Sequence, residues 1–182
     1  MIKSIFGFLL IASILFLNAC SIGGARTHML SIDNDGGKAD ARLKQIIKAI
    51  NNQDKNSIKN MFSNQAKNKT EDLDGQIDYL FVFVQGKIES WETIVHGATA
   101  ESINNGSRIK GSNSWYYIYT DKQKYLIFLV ECTIDTDHPE NVGMYVIQVM
   151  KAEDKDKYFH GGGPDTLPAG IDIPDGSTVT TT

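Results

Sequence analysis

Apolar and polar positions divide the chain into distinct regimes. Ile5 to Leu17 is almost wholly apolar, and Ser21 to Lys38 has no sustained apolar period. From there to Val84 apolar residues recur at helical spacing. Leu43, Ile46, Ile47 and Ile50 fall at i, i+3, i+4 and i+7, one stripe of a helix that starts near Ala39 or Asp40. Asn51-Asn52-Gln53 breaks it. Asp54 is placed to cap a second helix, because its carboxylate can accept from free backbone N–H groups. Ile58, Met61 and Phe62 turn that helix inward, and Asn68 to Thr70 ends it. A third helix begins near Glu71 or Asp72, where acids in the first turn suit the helix dipole. It carries Leu73, Ile77, Leu80, Phe81 and Val84 and stops at Gly86.

After Gly86 the period shortens. Lys87 to Val95 alternates loosely around Ile88, Trp91 and Thr93, and Asn104-Asn105-Gly106 signals a tight turn between extended segments. Trp115 to Tyr119 is rich in strand-forming residues. Asp121-Lys122-Gln123 reads as a hairpin turn, followed by apolar strands over Tyr125–Ile134 and Met144–Met150. Three N-terminal helices packed on a curved four-stranded antiparallel sheet make an α+β fold. The helices must cover one sheet face, since the strands are too apolar to meet water on both sides. This order resembles the cystatin and nuclear-transport-factor-2-like cone folds. Beyond His160, Gly161-Gly162-Gly163-Pro164, Pro168, Pro174 and a threonine run predict a disordered tail.

The first residues set location. Lys3 precedes the apolar run, and Leu17-Asn18-Ala19-Cys20 follows it, which is the layout of a signal peptide. The run is too short for a comfortable membrane span. Leu17, Ala19 and Cys20 resemble a bacterial lipobox, with Asn18 departing from its small-residue preference. The resemblance implies diacylglycerol on the Cys20 sulfur and cleavage between Ala19 and Cys20. Two acyl chains, such as palmitate, anchor stably where one holds only marginally. The expected organisation is a leader over 1–19, a lipidated cysteine and flexible tether over 20–38, the α+β cone over 39–158 and the tail over 159–182.

Composition narrows the partners. Eighteen Lys and Arg against 22 Asp and Glu give −4, and losing Lys3 with the leader gives −5. A mildly acidic surface does not suit nucleic acid. It gives no electrostatic attraction to anionic lipid either, so the membrane partner is reached through Cys20. The only other cysteine, Cys132, lies in an apolar run and reads as a buried free thiol, the alternative being a bridge to Cys20.

Candidate chemistry is sparse. Asp135, Asp137 and His138 gather in one loop and are the weak metal candidates, but the loop lacks the further acids and glycine of a calcium hand. Turn capping before Pro139 explains them as well. Asp78, His96 and Glu131 are the acid–base candidates if they converge. Trp91, Trp115, Tyr117 and Glu131 are candidate pocket residues, since aromatics with polar edges suit a small ligand as well as a core. Alternation places Trp115, Tyr117 and Tyr119 on one face, Tyr116 and Ile118 on the other. Nucleotide loops, zinc-cysteine spacing and Ser-His-Asp signatures are absent, and no cofactor is implied.

Several stretches together resemble an uncharacterised bacterial lipoprotein family, domain of unknown function 5104. They are Arg42-Leu43-Lys44, Asp74 to Phe81, Gln85-Gly86-Lys87, Glu89-Ser90-Trp91, Tyr119 to Lys122, Asp135 to Pro139 and Val142-Gly143. The resemblance spans roughly residues 40 to 155. It implies a cone-like domain on an anchored precursor and supplies no catalytic residue. The expected function is a non-enzymatic domain that binds a small ligand or an envelope protein at the extracytoplasmic face of the membrane. The alternatives are a small hydrolase or isomerase using a residue in the cone, and a homodimeric assembly module.

Overall fold

The Leu43–Ile50 stripe forms as its period requires. In the computed structural model, which describes residues 34–95, 99–159 and 161–174, helix α1 spans Asp35–Asn51 and buries Ala39, Leu43, Ile46, Ala49 and Ile50. It begins several residues before the stripe, because Asp35 has a partner on the sheet. Helix α2 (Lys55–Met61) is capped by Asp54, whose side chain accepts from the Ser57 N–H at 2.9 Å. The predicted second helix does not run through to Asn68. It breaks at Phe62, and Ser63 caps a separate helix α3 (Asn64–Lys69), its hydroxyl accepting from Ala66 N at 3.0 Å. Helix α4 (Leu73–Phe83) is capped by Asp72 and buries Leu73, Ile77 and Leu80.

The strands are β1 (Ile88–Val95), β2 (Thr99–Asn104), β3 (Ser107–Thr120), β4 (Lys124–Asp135), β5 (Gly143–Lys151) and β6 (Gly170–Asp172). A 3₁₀ turn at Pro139–Asn141 precedes β5, and a second 3₁₀ turn at Ala152–Asp154 and a one-turn helix α5 (Lys155–Tyr158) follow it. Strand β3 is long enough to pair with β2 through its first half and β1 through its second, while its other edge pairs with β4. The remaining order is β4-β5-β6. Asn105 and Gly106, at φ of 49° and 89°, make the tight turn between β2 and β3.

The α+β class therefore stands, but the three-helix, four-stranded antiparallel arrangement does not. Among the described residues four helices precede a six-stranded mixed sheet. The sheet is mixed because β6 runs parallel to β5, pairing Val146 with Gly170, Ile147 with Ile171 and Gln148 with Asp172. A cone of antiparallel strands is overturned by that pairing. Within the stretch read as a disordered tail, residues 161–174 are described and carry β6, while 160 and 175–182 lie outside the described residues. Ile171 and Ile173 are buried, and Phe159, Leu167 and Ala169 pack against the core. Glycine and proline density hid two isoleucines with a sheet edge to occupy.

Tyr116, Ile118, Ile127, Leu129, Ile147 and Val149 belong to the core beneath the helices. On the opposite face Trp115, Phe128 and Phe159 pack as a ring trio, with centroids 5.2 to 5.8 Å apart. At β4 and β5 both sheet faces are thus covered, the second by Phe159 and the segment after it, as those apolar strands demand, while β2 stays exposed.

Candidate functional site

The densest polar chemistry lies between α1 and the β3–β4 pair. Lys110 is only 2% exposed. A lysine tolerates such burial when its charge is paired, and its Nζ lies 2.7 Å from the Asp35 carboxylate at the start of α1. The β3–β4 register shifts between Lys110 and Gly111, where Thr133 is an extra residue in β4. Two helical turns along α1, Arg42 donates from Nε (3.0 Å) and Nη2 (2.6 Å) to one oxygen of Glu131 on β4. Tyr116 donates to Asp40 at 3.2 Å. Burial, helped by the Asp40 charge, pushes the Tyr116 phenol well above its ordinary value, so it stays protonated. The cleft is lined by Arg42, Ser112, Ser114, Glu131 and Thr133 among others, and its free volume is about 10 Å³. That is room for about one water and for no organic substrate. Its acids and bases are already partnered with each other.

The four aromatic and acidic pocket candidates do not converge. Trp91 meets the edge of Tyr116 at 5.7 Å, on the helix-covered face, with Lys44 Nζ 5.8 Å from its ring. Glu131 shares that face through Arg42. Trp115 and Tyr117 point to the other face. Trp115 packs on Phe159, and Lys124 Nζ sits 3.6 Å from the Tyr117 ring. The alternation along β3 read from the sequence separates them.

The acid–base candidates are also apart. Asp78 is exposed on α4, with Lys55 Nζ 2.6 Å from its carboxylate. His96 lies outside the described residues, as do Ala19 and Cys20. The loop acids serve the backbone. Asp135 accepts from Asn141 Nδ2 at 2.8 Å and from the N–H groups of His138 (2.8 Å) and Asp137 (3.2 Å). These bonds, the Asn141 one foremost, hold its carboxyl below the ordinary aspartate value. Asp137 accepts from Ser107, and His138 lies against Glu140. Among the described residues no three His, Cys, Asp or Glu side chains gather to hold a metal ion. Cys132 is free and half-buried, its Sγ 3.3 Å from Ile134 O. Burial first, then the Asp135 charge, pushes its thiol up, away from nucleophilic reactivity.

A wider space opens where α1 and α4 end. Asn51, Asn52, Gln53, Phe81, Val82, Gln85 and Lys87 are among the residues lining an open groove of about 570 Å³. The buried Tyr125 ties down the α4 end of the groove, accepting from Gln85 N at 3.0 Å and donating to Phe83 O at 3.1 Å. Sequence reasoning missed this groove, and the Lys110–Asp35 and Tyr116–Asp40 pairs as well. Its one local signal was Gly86, read only as a helix stop.

The sequence profile of a family described as a domain of unknown function (DUF5104) matches residues 45–152. No curated protein matches the chain. The matched span runs from within α1 to just past β5. It contains Glu131 and Lys110, but not Asp35, Asp40, Arg42 or β6.

Proposed function

The chain belongs to the DUF5104 family, and from that premise we propose that it is an extracytoplasmic lipoprotein, anchored through diacylglycerol on Cys20, whose folded domain binds a partner rather than turning over a substrate. The observation that carries the binding reading is the pairing of Asp78 and Glu131, the two acid–base candidates among the described residues. Asp78 is neutralised by Lys55 on the exposed side of α4, and Glu131 by Arg42 in a cleft with room for about one water. General acid–base catalysis needs a group free to exchange a proton with bound substrate. Neither residue faces such a space. The leader layout and the Leu17–Cys20 pattern support the anchor. Among the described residues no helix is long and apolar enough to cross a membrane, so in this reading the lipid does the anchoring.

Two measurements test it. Mass spectrometry of native protein is expected to find a chain starting at a diacylated Cys20, and Cys20→Ser is expected to move the protein out of the membrane fraction. An intact Met1 or an unmodified Cys20 thiol would remove the anchor. Hydrolase or isomerase turnover by the purified protein, lost in Glu131→Gln or Asp78→Asn, would remove the binding reading.

A further inference from the structure

We infer that the outer edge of β5 is a peptide-receiving groove of the family domain, filled in this chain by its own segment Gly170–Ile173. The partner it is built for is an extended stretch of another protein with glycine, aliphatic, acidic and aliphatic residues in succession. This rests on the binding reading above and names the site and the partner class.

The groove reads its occupant position by position. Gly170 has φ +99°, and a Cβ there would stand 2.4 Å from Gln76 Oε1 and 2.8 Å from the Thr70 side chain, so only glycine fits. The Ile171 N–H donates to Gln76 Oε1 at 2.8 Å. Ile171 and Ile173 extend the buried core. Asp172 accepts from Gln148 Nε2 at 2.6 Å. A parallel ladder to Val146–Gln148 supplies the main-chain bonds. Backbone pairing for affinity and side-chain pockets for selectivity is how a sheet edge captures an extended peptide.

Receptor and occupant belong to different parts of the chain. Thr70, Gln76 and Val146–Gln148 lie inside the matched family span, and β6 lies outside it. The residues that form the groove thus lie inside the matched span, and the segment that fills it lies beyond it. β6 is three residues long and is reached through Gly161, Gly162 and Gly163, the first two at positive φ. So short a strand on so permissive a connection is an exchangeable element. The fit is also incomplete. Gln148 is 4% exposed, and among the described residues its Oε1 has no hydrogen-bond partner. A buried acceptor left open weakens the hold of the segment on the edge.

The test uses the full chain and a fluorescein-labelled peptide of residues 168–174. Gly170→Val and Ile171→Asp empty the groove in cis. Fluorescence anisotropy is expected to show both variants binding the peptide at least about tenfold more tightly than the unsubstituted chain. Adding Gln76→Ala, or using a peptide with valine for its glycine, is expected to abolish that gain. Equal binding by all chains, or none by a folded variant, would overturn the inference. Should the variants fail to fold, hydrogen exchange on the unsubstituted chain decides. The Ile171 amide is expected to exchange at least about tenfold faster than that of Ile147, and equal protection would overturn the proposal. A dimer in which β6 comes from a second copy would overturn it in favour of strand exchange. Failure of the peptide to bind an emptied edge leaves the binding reading standing, whereas turnover lost with Glu131→Gln removes the reading beneath it.

Discussion

The Asn51 side-chain amide grips the backbone of Ile88 on both sides: Oδ1 accepts the Ile88 N–H and Nδ2 donates to the Ile88 carbonyl, each at 2.9 Å. It stands in for a neighbouring strand at the first residue of β1 and ties that strand to the last residue of α1. Each such bond contributes about 1 kcal/mol net. Asn51→Ala is therefore expected to lower unfolding free energy by about 2 kcal/mol, read as a shift in the urea midpoint. An unchanged midpoint would show the clamp to be redundant.

Gly143 is required by the same kind of close approach. At φ +127°, a Cβ on it would lie 2.8 Å from Ser63 N and 3.2 Å from Met61 O. Gly143→Ala is expected to cost about 1–3 kcal/mol through strain and to disturb the Ser63 N–H bond to Met144 O. A thermal scan showing no loss would mean that the Phe62–Ser63 crossing gives way freely.

Arg42 and Glu131 form a half-buried pair whose value is structural. Removing one partner leaves the other poorly solvated. Arg42→Met is expected to destabilise by about 2 kcal/mol. Arg42→Met with Glu131→Leu is expected to recover at least about half of that, since an apolar pair in such a place often does as well. Chemical denaturation of the two singles and the double completes the cycle. Strict additivity would deny the coupling.

Acid should weaken the β4–β5 connection. The Asp135 carboxyl is held below its ordinary value by Asn141 and the His138 and Asp137 N–H groups. A folded pKa below the unfolded one means that the stabilisation is present at neutral pH and is lost as pH falls through the folded value, below about 4. Asp54, bonded by Ser57, and Asp74, bonded by Lys59, shift in the same direction. Asp135→Asn is expected to show a smaller drop in urea midpoint between about pH 5 and pH 3 than the unsubstituted chain. Identical slopes would place the acid sensitivity elsewhere.

Features that depend on a few neighbouring residues were legible along the chain. The α1 stripe, the Asp54 cap and the Asn105-Gly106 turn all stand as their residues predict. Each is decided by steric fit or hydrogen bonding within about one turn. The alternation of Trp115, Tyr116 and Tyr117 across β3 was equally plain, and it is what scatters the candidate pocket over two faces.

Contacts between distant segments were not legible. The predicted second helix splits at Phe62–Ser63 because that stretch is drawn alongside Met144, which no local pattern announces. Lys110 is buried with its charge paired to Asp35, which reaches it from the start of α1. Gly170 to Ile173 looked like tail because it lacks the length to form a strand alone, and it became one when β5 offered it an edge. The sequence by itself determined the apolar stripe of α1, the Asp54 cap, the Asn105-Gly106 turn and which side chains of β3 face together. Only the tertiary structure decided strand neighbours, charge partners and which segment fills the β5 edge, because those energies arise between residues that the chain brings together only on folding.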